Sequence, residues 1–172
     1  METNIKLTSE QRIMLILLHE ILAKLNSDPE YHLKAIEILQ NGYYEMYGNE
    51  HIGPRLSEPL SFERMNYVDD VLDMFSRIQR SYKNLSEEEK KKVDAKKIIF
   101  EGFDANNEVE LLCYAEFTIE KMKRWDDIDR SKDLNTHNQT RYLYSAMLKA
   151  MPKREGQMLS ADEINKIVNP II

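Results

Sequence analysis

Residues 61–83 read SFERMNYVDDVLDMFSRIQRSYK, and the period of this stretch decides the fold class. Met65, Val68, Val71, Leu72, Phe75, Ile78 and Tyr82 recur every three or four residues. At about 100° per residue they fill half of a helical wheel, as in a helix with one side in a core. Ser61 stands where a side-chain oxygen caps a first turn. No strand-like alternation of period two interrupts the run.

Towards the N-terminus, Thr8 and Gln11 have the spacing of a reciprocal capping box, which predicts a first helix to about Leu25. That helix is apolar on most sides, with a narrow polar strip of Arg12, His19, Glu20 and Lys24, so it is expected to be central or at a subunit contact. Asp28-Pro29 reads as N-cap and N1 of a second helix, and Gly42 as its left-handed stop. Residues 43–59 carry Gly48, Asn49, Gly53, Pro54 and Pro59 and read as the longest loop.

Towards the C-terminus, Ser86 and Glu89 form a second capping box. Glu87 with Lys91 and Glu88 with Lys92 are expected as i,i+4 pairs on a short solvated helix. Residues 97–100 are the one candidate for a short extended segment. Asp104 is offered as N-cap of a fifth helix reaching Trp125, with Leu111, Leu112, Ala115, Ile119 and Met122 on its core side. A polar loop follows to Asn138. A sixth helix then ends before Pro152 with Leu143, Met147 and Ala150 on one side. Ser160 and Glu163 open a final short helix, with Leu159 and Ile164 as its hydrophobic staple. The expectation is an all-α, compact multihelical single domain spanning residues 1–172, with about six to seven helices.

The 172 residues are 42% hydrophobic and 31% charged with five Gly and five Pro, a globular composition with little material for loop-rich β architecture. A formal charge of −6 argues against broad binding to a phosphate backbone. Cys113 is the one cysteine, so no disulfide is expected within the chain, and a reducing cytoplasm is the simplest setting. The longest apolar run, residues 13–18, falls far short of a bilayer span, so neither secretion nor membrane insertion is expected.

Three stretches carry a resemblance to a known family. They are Leu7-Thr8-Ser9-Glu10-Gln11-Arg12, Phe100-Glu101-Gly102-Phe103-Asp104, and Leu159-Ser160-Ala161-Asp162-Glu163-Ile164-Asn165. In order and spacing the chain resembles the YfbU family of small bacterial cytosolic proteins over nearly its whole length. The resemblance implies an all-α multihelical fold and self-association, and it assigns no catalytic residue. The loop from Gly48 to Ser61 is longer than that resemblance leads one to expect.

Several local patterns weaken when their chemistry is checked. Residues 127–134 place oxygen ligands as an EF-hand loop does, but Lys132 replaces the turn glycine and Asn138 the bidentate glutamate, so a polar interhelical loop is expected. Asp70 with Asp73 and Glu116 with Glu120 lie one turn apart, as Mg²⁺-binding carboxylates do in all-α nucleotide pyrophosphatases. Asp73 can instead pair with Arg77, and Glu120 with Arg124. His19, His32, His51 and His137 lack zinc-site spacing and read as surface or cap residues. Lys90, Lys91, Lys92, Lys96 and Lys97 form a basic cluster without interleaved aromatics, so nucleic acid is not expected there.

One feature of the fifth helix points to function. Beside its core side, Val109, Cys113 and Phe117 repeat every four residues. Such a stripe is either sandwiched between helices of the same chain, with Cys113 buried and inert, or it meets another subunit. Val109, Cys113 and Phe117 are thus the candidate subunit interface. No catalytic residue, metal ligand or cofactor is assigned. The leading expectation is a cytosolic helical interaction or regulatory protein, a homo-oligomer that binds a protein partner. The alternative is a Mg²⁺-dependent nucleotide hydrolase using the carboxylates of the third and fifth helices, which must then converge around a cleft.

Overall fold

Capping and periodicity divide the chain much as expected. The computed structural model describes residues 6–25, 28–49, 59–154 and 156–171, with no side-chain description at 48 and 49. Its helices group into two compact units, Met1–Glu58 and Pro59–Ile172. The all-α expectation holds. Among the described residues no strand forms, and β pairing is limited to the isolated bridges of Phe100 with Arg130 and Phe103 with Asn135.

In the first unit, α1 (Ser9–Leu25) and α2 (Pro29–Asn41) form an antiparallel hairpin, followed by the single turn α3 (Met46–Asn49). The expected caps are in place. The Thr8 amide donates to Gln11 Oε1 at 2.8 Å while the Gln11 amide donates to Thr8 Oγ1, and the Asp28 carboxylate accepts from the Tyr31 amide. Gly42 adopts φ +68° as the left-handed stop. The Arg12 guanidinium donates to the Leu39 and Gln40 carbonyls at 2.7 and 2.8 Å, which satisfies the free C-terminal end of α2. The small core consists of Ala35, Ile38, Leu39 and Tyr47, flanked by Leu7, Leu15, Ile16 and Met46.

Histidine was misread here. His19 and His32 are buried rather than superficial, with their Nδ1 atoms 2.9 Å apart across the hairpin and Tyr31 packed against both rings. Dispersal in sequence does not reveal that positions 13 residues apart meet when two helices fold back on each other. His51 and most of the long loop lie outside the described residues.

The second unit is organised by α4 (Phe62–Lys83), capped by Ser61. Around it stand the single turn α5 (Glu87–Lys90), α6 (Val109–Glu116), α7 (Arg141–Ala150) and α8 (Ala161–Val168). Val68, Val71, Leu72, Phe75 and Ile78 are fully buried, and Phe75 meets Phe100 and Tyr144 in an aromatic cluster that also holds Phe103. The Ser86/Glu89 and Ser160/Glu163 capping boxes form, and the Leu159 and Ile164 side chains are buried. α5 ends too soon for i,i+4 pairing, so Glu87 pairs with Lys90 at 2.8 Å instead. On α7 the buried side is led by Tyr144 and Met147, while Leu143 is turned outward.

The expected extended segment reduces to one residue. Phe100 accepts from the Ser131 amide at 2.9 Å and donates to the Asp129 carbonyl, and Phe103 is tied in the same way to Leu134 and Thr136. Gly102, at φ +103°, lets these two chains touch: a Cβ there would lie 1.8 Å from the Leu134 carbonyl oxygen. Asp104 caps the turn that follows, not a helix, by accepting from the Asn106 amide and the Asn107 side chain.

Candidate interaction surface

α6 therefore starts at Val109, later than expected, and its entry is built around a buried carboxylate. Glu108 accepts from the amides of Asp104, Thr140 and Arg141 at 2.8–3.1 Å and from the Thr140 hydroxyl, joining the start of α6 to the first turn of α7. An acid at a helix N-terminus meets both the unpaired amides and the dipole. The adjoining cavity, about 550 Å³, is lined by Arg64, Glu110, Arg141 and Tyr142 among others. Arg64 is paired with Glu110 there, so its cation is already engaged.

The exit of α6 departs from a regular helix. Residues Phe117–Lys121 form a π turn in which the Met122 amide donates to the Phe117 carbonyl at 3.0 Å. The Thr118 hydroxyl donates back to the Tyr114 and Ala115 carbonyls. The extra residue shifts the helical phase. Leu111, Leu112, Ala115 and Ile119 stay buried, but Met122, expected in the core, is 57% exposed. Lys123 and Trp125 take positive φ, and the helix stops short of Trp125.

The second stripe of α6 also faces outward. Val109 and Phe117 are 49% and 51% exposed, and Cys113 is exposed, which overturns the expectation of a buried thiol. No described helix of the second unit covers the stripe. Cys113 and Phe117 instead line a groove of about 790 Å³ whose apolar wall is completed by Leu134. Glu116, Glu120 and Asp133 alternate around it with Lys121 and Lys132. Apolar centre and mixed-charge rim are the anatomy of a protein contact.

Two of the four carboxylates of the hydrolase reading, Asp73 and Glu120, are engaged by other partners. Asp73 accepts from the Trp125 indole at 2.7 Å. Glu120 pairs with Arg130 at 2.9 Å rather than with Arg124, and that guanidinium holds its carboxyl below the usual range. Arg124 instead approaches Asp69 and lies over the Trp125 ring, while Arg77, the expected partner of Asp73, donates to the carbonyls of Arg154 and Gln157. Burial, then Asp73 and Asp69, pushes the Asp70 carboxyl up. Among the described residues no group of three or more His, Cys, Asp or Glu is placed to hold a metal ion. The 127–138 loop is tied up in structure. Asp129 bonds through its backbone to Phe100 and Gln79, and Asn135 accepts from the Ala105 and His137 amides.

A family model, the YfbU domain, matches residues 5–170. The chain belongs to the YfbU family. The three stretches that carried the resemblance now have physical roles: one caps α1, one bridges residues 100–103 to 130–136, and one caps and staples α8. None of them lines the groove beside Cys113. In this YfbU chain the recognisable residues thus specify folding, and none of them belongs to the exposed stripe. Sequence reasoning missed Gln79 and Glu108, the two buried polar hubs. Gln79 had left a signal, since it is a polar residue at a stripe position of α4, seven after Leu72.

Proposed function

We propose that this protein works through protein–protein contacts, assembling with copies of itself and presenting a helical surface to a protein partner, with no chemistry of its own. The observation that carries this reading is the outward stripe of Val109, Cys113 and Phe117 on α6, beside a groove with an apolar wall and charges of both signs. Aromatic and aliphatic anchors in such a setting carry most of the energy of a contact. The cytoplasm suits an exposed lone thiol, which stays reduced there. No described helix is long and apolar enough to cross a membrane.

Phe117→Glu tests the reading, because it places a charge at the exposed end of the stripe, beside the groove, without disturbing a buried residue. Sedimentation of this variant is expected to show self-association weakened at least about thirtyfold, the size of a hot-spot loss. Unchanged association, with unchanged circular dichroism, would remove the stripe from the assembly.

A further inference from the structure

α1 is inside out. Its polar residues Arg12 and His19 face α2, one bonded to carbonyls and the other to His32. Ile13, Met14, Leu17, Leu18, Ile21, Leu22 and Leu25 face away, each 43–78% exposed. Met14, Leu18, Ile21 and Leu25 follow a 4-3-4 spacing, the seam of a helix that packs on another helix. Water is a poor neighbour for such a face, and patches of this size on folded proteins mark contacts.

We infer that a second copy of this chain covers the face, α1 packing antiparallel on the partner's α1 about a twofold axis near Leu17 and Leu18. This rests on the reading of the protein as self-associating and adds a second contact, made by α1 rather than by the stripe on α6. Three observations select this occupant. The seven residues together leave on the order of 700–800 Å² per copy exposed, an upper bound on what a partner's α1 covers and close to one side of a standard-sized interface. The ends of α1 are oppositely charged, so the antiparallel arrangement brings Glu10 within about one residue's rise of the partner's Lys24. A parallel arrangement would instead set Glu10 on Glu10 and Lys24 on Lys24. The pairing also repeats itself: Met14 meets the partner's Ile21 and Ile21 the partner's Met14, as an isologous contact requires. A lipid surface fits less well, because the face lacks a basic flank: Arg12 is turned to α2, leaving Lys24 as the only other base of α1.

Cysteine cross-linking of the full chain tests the arrangement. Leu18→Cys lies beside the axis and is expected to cross-link to itself under mild oxidation. Leu25→Cys would lie about 22 Å from its copy and is expected to give at least tenfold less of that product. The wild-type chain controls for Cys113, and mass spectrometry maps the joined peptides. Equal cross-linking at both positions overturns the antiparallel arrangement. Leu18→Glu, at an exposed position, is expected to keep its helical circular dichroism and weaken self-association at least about thirtyfold. An assembly that survives Leu18→Glu but falls apart with Phe117→Glu overturns the α1 contact and leaves the stripe standing. The reverse result supports the α1 contact and removes the stripe. A wild-type chain that binds neutral or anionic vesicles through α1 but stays a monomer in solution also overturns it.

Discussion

Gly102 shows how much a single position decides. Its φ of +103° disfavours any L side chain, and a Cβ would lie 1.8 Å from the Leu134 carbonyl oxygen, which is backbone and cannot swing away. Gly102→Ala is expected to cost about 3 kcal/mol or more in urea unfolding, the range of strained core substitutions. Gln79 is a different kind of hub. Its side-chain amide donates to the Ile98 and Asp129 carbonyls and its oxygen accepts from the Asp129 amide, all at 2.6–2.8 Å in a 2% exposed site. Gln79→Leu fills similar volume but strands the Ile98 carbonyl and the Asp129 amide, while the Asp129 carbonyl keeps its bond from the Phe100 amide, so a loss of about 2–4 kcal/mol is expected by the same measurement. A loss under 1 kcal/mol would show that water reaches those groups. Sequence alone reads Gly102-Phe103-Asp104 as a turn, since glycine is a local signal for one. It does not foresee the approach of Leu134, because contact between loops 32 residues apart leaves no local pattern.

At the scale of elements, what was legible is what local physics controls. Thr8, Asp28, Ser61, Ser86 and Ser160 cap as read, because a side-chain oxygen bonding to an amide two or three residues on needs no tertiary help. The π turn at Phe117–Lys121 was not legible. It follows from packing around Thr118 and Ile119, and it alone explains why Met122 leaves the core. The α1–α2 hairpin yields a pH prediction. Burial, with His32 next in importance, lowers the His19 pKa below its ordinary value of 6.5, so the folded hairpin binds fewer protons than the unfolded chain. Its contribution to stability is therefore present above pH 6.5 and lost as pH falls towards the depressed folded value. Wild type should lose more stability between pH 7.5 and pH 5.5 than a His19→Leu/His32→Leu double variant, which keeps the volume and removes the titration. Circular dichroism during urea unfolding at the two pH values measures this, and equal losses would contradict it.

At the scale of the whole molecule, the recognisable residues and the exposed apolar ones form separate sets. Caps, the Phe100–Asp104 turn and the α8 staple specify an all-α YfbU fold, while α1 and the outer side of α6 present Leu18, Ile21, Val109 and Phe117 to the surroundings. The stripe on α6 was visible in sequence as a period of four. Its exposure was not, because a periodic apolar row reads the same whether a neighbouring helix or a partner covers it. Burying such rows against a partner is the physical basis for reading the protein as one that assembles. Sedimentation velocity on the wild-type chain at about 100 µM, a concentration at which a standard-sized interface is occupied, tests that claim most directly. The expected result is a species of at least twice the single-chain mass that dissociates on dilution or with Phe117→Glu or Leu18→Glu. A single-chain species at that concentration would contradict it.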